Sequence, residues 1–364
     1  MRIGGTHYRS IWMDDDPGIV KVIDQRKLPF EFKVRDLRTA DDAFYAIREM
    51  VVRGAPLIGV TAAFGLYLAA RNSGPENWCD EIKEAGQVLN SARPTAVNLK
   101  YALDLAMAEV NCAASREGIT DRLFHMAMSL TEDEVIRSKK IGAHGLSLIR
   151  DMYFRTKQRV NILTHCNAGW LACVDYGTAT APIYLAHDQG IPVHVWVDET
   201  RPRNQGARLT AYELGAHGVP HSVIVDNAGG HLMQNGQVDL VIVGSDRTTR
   251  TGQVANKIGT YLKALAAHDN DIPFYVALPS STIDFGMDKG SEMEIEERTV
   301  REVTHMEGWN ETGRSLETIR LLPENTRISN PGFDLTPSRL VTGLITEKGI
   351  CEASEKGIQS LFKS

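Results

Sequence analysis

The amino-acid sequence predicts an α/β protein with a small N-terminal β-sheet plus a helical domain, followed by a Rossmann-like, doubly wound parallel sheet. The main observation is a series of short apolar runs, from Val160 onward, that lack polar alternation and are joined by helical segments. Such runs are typical of strands covered by helices on both faces. Before about residue 130 the pattern differs, because short alternating segments give way to long segments with helical periodicity. We therefore expect two domains in the 364-residue chain, over residues 1–130 and 131–364.

The N-terminal domain is predicted to contain a small sheet followed by helices. Polar and apolar residues alternate over 19–24 and 30–34, which predicts two strands. Thr39 followed by Asp42 predicts a helix N-cap with an acidic first turn. The segment 57–70 is nearly all apolar or small, and it predicts a buried helix.

Two more helices are predicted before the parallel sheet. One follows Arg93-Pro94-Thr95 and places four residues on one face: Val97, Tyr101, Leu105 and Ala108. The other is predicted to begin at Thr131, because Glu134 three residues later completes a capping-box pattern, and to continue to about Met152.

The C-terminal domain is predicted to alternate strands and helices. The predicted strands are Val160–Thr164, Val193–Val197, Ser222–Val225, Leu240–Val243 and Phe274–Ala277, and the helices between them include Thr178–Gln189 and Arg208–Gly215. No GxGxxG pattern follows the first strand, so we do not expect a nicotinamide cofactor. Residues 309–327 are interpreted as a surface insertion.

Composition restricts the class of protein. A formal net charge of −6 argues against nucleic-acid binding, which needs a basic excess. No segment approaches the roughly 18 apolar residues of a membrane span, and the first residues lack a signal-peptide pattern, so we expect a cytoplasmic protein. The five cysteines are odd in number and have no CxxC spacing, which indicates free thiols. We interpret Cys112 and Cys351 as small buried hydrophobic residues.

Two residues that follow predicted strands are candidates for catalysis. Cys166 comes just after the strand 160–164, and Asp246 just after the strand 240–243. Ligands of parallel α/β sheets bind beyond the carboxyl ends of the strands, so we expect both side chains to face one pocket. A thiol at a helix N-terminus tends to have a lowered pKa, and a carboxyl in an apolar pocket a raised one. The two groups therefore suit proton movement between adjacent carbons, with His165 as a competing base or a structural group.

Several basic segments could bind an anion near this pair. Arg53-Gly54-Ala55-Pro56 combines a guanidinium with the N–H groups of a predicted helix start, as does Arg93-Pro94-Thr95. Lys257 is predicted to open a helix beside Asp246, where it could contact a substrate oxygen. Residues 198–208 contain three arginines and Gln205, which could hold a sugar phosphate. The alternatives are solvated capping arginines, a surface lysine and a loop of mutually paired charges.

Taken in order, these motifs resemble the methylthioribose-1-phosphate isomerase family, whose superfamily also contains the regulatory α, β and δ subunits of the translation initiation factor guanine-nucleotide exchanger. The resemblance covers nearly the whole chain. It rests on these segments: Val52-Arg53-Gly54-Ala55-Pro56, Arg93-Pro94-Thr95, Thr164-His165-Cys166-Asn167-Ala168-Gly169, Val197-Asp198-Glu199-Thr200-Arg201-Pro202, Gln205-Gly206-Ala207-Arg208-Leu209-Thr210, Gly244-Ser245-Asp246-Arg247, Asn256-Lys257-Ile258-Gly259-Thr260-Tyr261 and Phe333-Asp334-Leu335-Thr336-Pro337.

The resemblance implies a specific reaction and site. It implies conversion of 5-methylthioribose 1-phosphate to 5-methylthioribulose 1-phosphate in methionine salvage, with no metal or organic cofactor and usually as a homodimer. Cys166 and Asp246 fall on the family's catalytic pair. The positions that fall on its substrate contacts are Arg53, Gly54, Ala55, Arg93, Gln205, Asn256 and Lys257.

The implied chemistry must open the sugar ring, because the anomeric phosphate blocks the free aldehyde. We expect Asp246 to act as acid and base at ring opening and Cys166 to take part in hydrogen transfer from C2 to C1, by an enolate or by a hydride shift.

Three alternatives remain open at the level of sequence. The chain departs from the usual family residues over 248–253 and at Trp170, Cys173 and Gly332, so 5-deoxyribose 1-phosphate is an alternative or additional substrate. A non-catalytic regulatory subunit is a second alternative, although those members lack the Cys and Asp pair. Ribose-1,5-bisphosphate isomerase is a third, for which Arg250 would be the extra cation.

Overall fold

A computed structural model describes residues 1–93, 96–111, 113 and 115–362. The chain begins with two small antiparallel sheets, formed by β1 (Arg2–Ile3) with β2 (Thr6–His7), and by β3 (Ile11–Met13), β4 (Val20–Ile23) and β5 (Val34–Leu37). The predicted strand over 19–24 is confirmed as β4. The one predicted over 30–34 is wrong, because Phe30 and Glu31 donate their N–H groups to the Lys27 carbonyl in a turn, and the strand begins only at Val34.

Five helices follow in the described residues: α1 (Ala40–Arg48), α2 (Ala55–Asn72), α3 (Trp78–Ser91), α4 (Val97–Asn111) and α5 (Arg116–Thr156). The predicted N-cap is confirmed, since the Asp42 N–H donates to Thr39 Oγ1 and the Thr39 N–H donates to Asp42 Oδ2, each over 3.1 Å. The prediction of a buried apolar helix is also confirmed. α2 packs against α1, α3, α4 and α5 and forms the centre of the N-terminal core.

The two helices predicted before the large sheet have different outcomes. The helix expected to begin at Thr131 begins at Arg116, because the Ser115 hydroxyl caps it by accepting the Gly118 N–H, while the Thr131 hydroxyl donates to the Ala127 carbonyl inside the helix. The helix predicted after Arg93-Pro94-Thr95 is confirmed as α4. Tyr101 and Leu105 are exposed there, whereas α4 buries a different stripe: Leu99, Ala102, Leu103, Ala106 and Val110.

The remaining elements build the C-terminal part of the chain. They are β6 (Val160–Thr164), α6 (Ala181–Asp188), β7 (Val193–Asp198), α7 (Ala211–His217), β8 (His221–Ile224), α8 (Ala228–Gln234), β9 (Leu240–Val243), β10 (Arg247–Thr249), β11 (Val254–Lys257), α9 (Thr260–Asp269), β12 (Phe274–Ala277), β13 (Ile283–Asp284), α10 (Arg301–Thr304), β14 (His305–Asn310), β15 (Ser315–Arg320), β16 (Phe333–Thr336), β17 (Gly343–Thr346), β18 (Gly349–Cys351) and α11 (Glu355–Phe362).

The large sheet confirms the predicted Rossmann-like class. Its seven strands have the order β18-β17-β12-β9-β6-β7-β8 and are parallel except for the β17 and β18 pair. Successive residues of β6 point to opposite faces, so Ile162 packs with α5 and α6 whereas Leu163 packs with α8 and α9. The sheet is therefore covered on both faces, which explains the uninterrupted apolar runs.

The strand order also determines where a ligand would bind. The chain builds β6, β7 and β8 in one direction, then returns to place β9 on the other side of β6. The carboxyl ends of β6 and β9 therefore flank the topological switch point, where the diverging connections leave a crevice.

Two smaller units flank the large sheet. A four-stranded sheet has the order β13-β10-β11-β16. Residues predicted as a surface insertion lie mainly in the β14 and β15 hairpin, which is largely exposed and contacts the N-terminal part where Trp309 stacks on Phe30 at 5.5 Å between ring centroids.

The structure tests the remaining sequence predictions only in part. α5 runs continuously across residue 130, and the division into two domains at that position stays a prediction. Pro94, Thr95 and Cys112 lie outside the described residues. Cys351 is half-buried rather than buried. In the part of the chain that the structure describes, no helix is long and apolar enough to cross a membrane.

Candidate functional site

The switch point of the large sheet contains a cavity with Cys166 and Asp246 on its wall. Cys166 lies two residues beyond β6 and Asp246 three residues beyond β9. The other residues lining the cavity are Arg53, Gly54, Ala55, Pro56, His165, Asn167, Ala168, Ala172, Cys173, Thr178, Gly244, Ser245, Asn256 and Pro279. The thiol and the carboxyl group thus line one cavity, as expected from their positions after two strands, although 80 residues separate them in sequence.

The turn that carries Cys166 has an unusual backbone. Cys166 has a φ of +64°, a left-handed conformation that non-glycine residues adopt rarely and that persists only where surrounding contacts hold it. Two threonines supply these contacts. The Cys166 N–H donates to Thr200 Oγ1 over 2.8 Å, and the Cys166 carbonyl accepts Thr210 Oγ1 over 2.7 Å.

The thiol of Cys166 does not have the lowered pKa that the sequence suggested. Burial raises the pKa of Cys166, and the positive charges of Arg53 and Lys257 only partly oppose this effect. The side chain turns into the cavity at the sheet edge, so desolvation outweighs any benefit from a helix N-terminus. Cys166 therefore holds its proton at neutral pH and can donate it.

His165 is held as a structural group. Its Nδ1 lies 2.8 Å from Asp198 Oδ2 and its Nε2 lies 2.8 Å from the Ile258 carbonyl oxygen. Both ring nitrogens are therefore engaged by groups of the protein, which favours the structural role over that of a base.

The same region contains a group of possible metal ligands. Atoms of His165, Asp198 and Asp226 lie within 4.8 Å of one another. The Lys263 ammonium lies 3.2 Å from Asp198 Oδ2 and also donates to the Asp226 carbonyl. The cationic side chain of Lys263 thus occupies the place next to the carboxylate that a metal ion would need.

The start of α2 brings a guanidinium and a helix N-terminus to the cavity. Gly54 is the N-cap of α2, and Arg53 immediately precedes it. The Arg53 guanidinium donates from Nη1 to Asn167 Oδ1 (2.5 Å) and from Nη2 to the Asn167 carbonyl (2.8 Å). The residue after Cys166 therefore fixes Arg53, and the orphan N–H groups of α2 face the same space.

A second cavity adjoins the first and shares Ala55 and Asp246 with it. Three charged side chains besides Asp246 line it: Arg93, Arg247 and Glu294. The rest of its lining is apolar and consists of Ile58, Ala96, Ala255, Met293, Ile295 and Phe333. Arg93 is mostly but not fully buried here and pairs with Glu296 over 3.3 Å. Burial lowers the pKa of Arg93, against the opposing charge of Glu296.

Asn256 and Lys257 lie at the end of β11 rather than at a helix start, which corrects the sequence interpretation of Lys257. Asn256 lines the first cavity and donates to Thr260 Oγ1 over 3.0 Å. Lys257 is buried, donates to the Gly332 carbonyl over 2.8 Å and lies 4.7 Å from the centroid of the Phe333 ring. Burial lowers its pKa, and the neighbouring acidic groups of Cys166 and Asp246 oppose this shift. It is therefore a buried cation next to the predicted catalytic pair, not a surface lysine.

The segment from 198 to 208 is built differently from the predicted anion loop. Arg203 pairs with Glu302 over 3.2 Å and Arg208 with Glu307 over 2.8 Å, so their charges are used in contacts with the segment before and within the β14 hairpin. Gln205 is buried at the start of a π-helical turn (Gly206–Thr210), and its Oε1 has no hydrogen-bond partner among the described residues. Gln205 lines neither of the two cavities as they stand in this conformation.

Sequence reasoning missed Glu213, a buried carboxyl behind the Cys166 turn. It accepts hydrogen bonds from Asn167 Nδ2 (3.0 Å), from the N–H groups of Trp170 (3.1 Å) and Leu171 (2.9 Å), and from the Tyr184 hydroxyl (3.0 Å). Burial raises its pKa to about 7, against these hydrogen bonds and the charge of Arg53. A glutamate in a short predicted helix gave no signal of this burial.

Comparisons with known proteins agree with this arrangement. Residues 51–353 match the model of the initiation factor 2 subunit family. A methylthioribose-1-phosphate isomerase from Methylorubrum extorquens is 55% identical, over 100% of this chain and 98% of its own length. The crystal structure of 5-methylthioribose 1-phosphate isomerase from Pyrococcus horikoshii matches with a TM-score of 0.84 and 36% identity, over 98% of this chain and 96% of that one.

A second solved structure represents the other branch of the superfamily. A protein from A. fulgidus described as translation initiation factor eIF-2B, subunit delta, matches with a TM-score of 0.80 and 37% identity, over 98% of this chain and 100% of that one. The relative with the higher identity over its full length carries the isomerase name. The chain therefore belongs to the initiation factor 2 subunit family and, within it, to the methylthioribose-1-phosphate isomerases.

Proposed function

We propose that this protein converts 5-methylthioribose 1-phosphate to 5-methylthioribulose 1-phosphate, the aldose-to-ketose step of methionine salvage. One observation supports this most directly. A protonated thiol, Cys166, and a carboxyl group, Asp246, line one cavity at the switch point of the sheet, beside the N-terminus of α2. A reaction that protonates a ring oxygen and moves hydrogen between neighbouring carbons needs such a pair, held away from bulk water.

The charges around the cavity favour a phosphorylated substrate. Arg53 lines the first cavity and Arg93 the second. Lys257 lines neither of them but is buried close to Cys166 and Asp246. Cations that are partly or fully withdrawn from water bind a dianion more strongly than exposed ones, because less water competes with it. We propose that Arg53, Arg93 and Lys257 hold the phosphate and sugar oxygens, with the backbone of Gly54 and Ala55 and the side chains of Gln205 and Asn256 as further contacts.

The roles of the catalytic pair follow from the substrate. In its acid form Asp246 gives a proton to the ring oxygen as the bond from that oxygen to C1 breaks. The carboxylate so formed then accepts the proton of the C2 hydroxyl as C2 becomes a ketone, which restores the acid. Cys166 assists as the hydrogen on C2 is transferred to C1. The product has the same atoms as the substrate, so the reaction balances without a co-reactant.

The decisive experiment is ³¹P and ¹³C NMR of the purified protein with 5-methylthioribose 1-phosphate and, separately, with 5-deoxyribose 1-phosphate. We expect the ketose phosphate from both, with the higher kcat/KM for the methylthio compound, because the second cavity offers Ile58, Met293 and Phe333 to an apolar 5-substituent. A higher kcat/KM for the deoxy sugar would reassign the pathway while keeping the catalytic pair. Turnover of neither would reject the proposal in favour of a regulatory subunit.

Arg250 does not support the ribose-1,5-bisphosphate alternative. Its guanidinium pairs with Asp288 and with Glu355 (2.9 Å), and it lines neither cavity. We expect Arg250→Ala to leave kcat/KM within about twofold of wild type, as for most surface substitutions. Arg93→Ala is the matched change inside the site, and its KM should rise. A large loss of activity in Arg250→Ala would restore the bisphosphate alternative.

We also propose that the protein is a cytoplasmic homodimer. The exposed stripe of α4 supports an interface with a second copy of the chain, because Tyr101 and Leu105 are each more than a third exposed on a helix whose other face is in the core. Light scattering should give twice the chain mass of 40.2 kDa, and Leu105→Glu should lower it if this stripe is the contact. A monomeric wild type would reject the dimer.

A further inference from the structure

Glu213 is a buried carboxyl at the centre of the loop that carries Cys166. It lies on α7 with no exposed surface, and each of its oxygens accepts two hydrogen bonds. Oε1 accepts from Asn167 Nδ2 and the Leu171 N–H, while Oε2 accepts from the Trp170 N–H and the Tyr184 hydroxyl. A single side chain thus holds, by hydrogen bonds, residues of the segment between β6 and α6 and one residue of α6 itself.

The contact with Asn167 connects Glu213 to the cavity. Asn167 uses its Nδ2 to donate to Glu213 and its Oδ1 to accept from Arg53 Nη1. These two contacts fix the orientation of the amide, since the reverse orientation would place its Nδ2 against the guanidinium. Arg53 therefore has one preferred position, set by a carboxylate that does not itself reach the cavity.

We infer that Glu213 is a positioning residue, which through Asn167 holds Arg53 and the Cys166 turn in the arrangement that binds the sugar phosphate. The inference rests on the proposed function and deepens it, because it assigns the geometry of that site to a residue outside it. Glu213 does not touch the substrate, so its removal should act mainly on binding.

Only the carboxylate form serves all four partners. Asn167 and the two backbone N–H groups are donors, and the Tyr184 hydroxyl is the one partner that could accept instead. Glutamine at this position would turn an NH₂ group toward an N–H donor in either orientation of its amide. Protonated Glu213 has the same difficulty at Oε1 and can place its proton only toward Tyr184.

The ionisation of Glu213 makes this inference testable. Burial raises its pKa to about 7, so the carboxylate gains a proton within the range of ordinary assays. The titratable groups next to it are Arg53, Tyr184 and Cys173, and burial raises the pKa of both Tyr184 and Cys173, which stay neutral. Beyond Tyr184, Asp175 is paired with the Met1 ammonium over 2.6 Å. We therefore expect kcat/KM to fall on the acid side as Glu213 is protonated.

Tyr184→Phe is the sharpest test, because it removes one donor to the carboxylate and touches neither Asn167 nor Arg53. Loss of a hydrogen bond to a charged acceptor raises its pKa, so the acidic limb of the kcat/KM profile should move up by about one pH unit. The matched control is Tyr67→Phe, another buried tyrosine, whose hydroxyl donates to the Pro17 carbonyl. Its profile should stay in place. An unshifted limb in Tyr184→Phe would overturn the inference.

A double-mutant cycle tests the route through Asn167. Glu213→Gln and Asn167→Ala should each raise KM about tenfold or more, with a smaller change in kcat. If Glu213 acts through Asn167, the double variant should be little worse than the worse single variant. Full additivity would show that Glu213 acts elsewhere, and would count against the inference.

Sulfate binding separates this inference from the proposed function. Sulfate keeps its charge over this pH range, so calorimetric titration of wild type and Tyr184→Phe measures anion affinity without turnover. We expect the sulfate affinity of the wild type to fall below about pH 7, and that of Tyr184→Phe to begin falling at a higher pH. This result would support the inference even if no sugar phosphate is converted. Affinity with the same pH dependence in both proteins would reject it.

Discussion

Asp246→Asn and Cys166→Ala should each lower kcat by about 10²–10⁴-fold, the usual contribution of a general acid or base. Asn has the shape of Asp but cannot give or take a proton at neutral pH. Ala leaves the Cys166 backbone contacts with Thr200 and Thr210 intact. Both proteins should therefore fold, and KM should change less than kcat, because neither change removes a cation from the phosphate site.

Steady-state kinetics by NMR, with circular dichroism of each variant, checks this expectation. The controls are a carboxylate and a thiol remote from the cavity. Asp288→Asn alters an exposed partner of Arg250, and Cys351→Ala alters a half-buried thiol of β18. Both controls should keep near-normal kcat. If Asp246→Asn and Cys166→Ala also kept theirs, the pair would not be catalytic and the proposed mechanism would be wrong.

The parts of the fold that sequence predicted well are those whose burial is nearly complete. β6, β9 and β12 were predicted with their observed bounds, because every residue of a strand covered on both faces tends to be apolar. The cavity followed from the same reasoning, since residues just after such strands collect at one edge. The strand order that brings β9 beside β6 is set by tertiary packing and was only assumed.

Local signals failed where a stronger contact competed with them. Thr131 and Glu134 have the spacing of a capping box, yet in α5 the threonine bonds within the helix and the glutamate pairs with Arg137 over 2.6 Å. In α4 the larger stripe with Tyr101 lies outside, because the smaller residues Ala102 and Ala106 allow closer packing against α2. Size and polarity alone do not show which of two stripes a neighbour will cover.

The site residues show the same limit. Asp246 and Cys166 were placed by their position after strands, but the positive φ of Cys166 has no signature in the sequence. Glu213 was missed because its burial depends on donors about 30 to 45 residues away in the chain. Its charge resembles that of any surface helix residue until the turn between β6 and α6 folds over it.

We expect Gly54→Ala, which adds one methyl group at the start of α2, to lower the free energy of unfolding substantially. Gly54 has a φ of +97°, where alanine is strained, and a Cβ there would lie 2.4 Å from the Ala172 carbonyl oxygen and 2.5 Å from Ala172 Cα. Backbone strain of about 1–2 kcal/mol and overpacking of about 1–3 kcal/mol add to a loss of about 2–5 kcal/mol in the free energy of unfolding. Denaturant titration measures it.

Gly190→Ala separates the two contributions. Gly190 has a φ of +73°, but a Cβ there would meet nothing within 4 Å, so only the strain of about 1–2 kcal/mol should appear. The two variants should also differ in KM. Ala172 belongs to the turn after Cys166, so relief of the clash must move Arg53 and the N-terminus of α2 away from that turn. KM should then rise in Gly54→Ala and stay unchanged in Gly190→Ala. Equal stability losses in the two variants would mean that α2 and the Cys166 turn are not closely packed, and that the phosphate site is held in some other way.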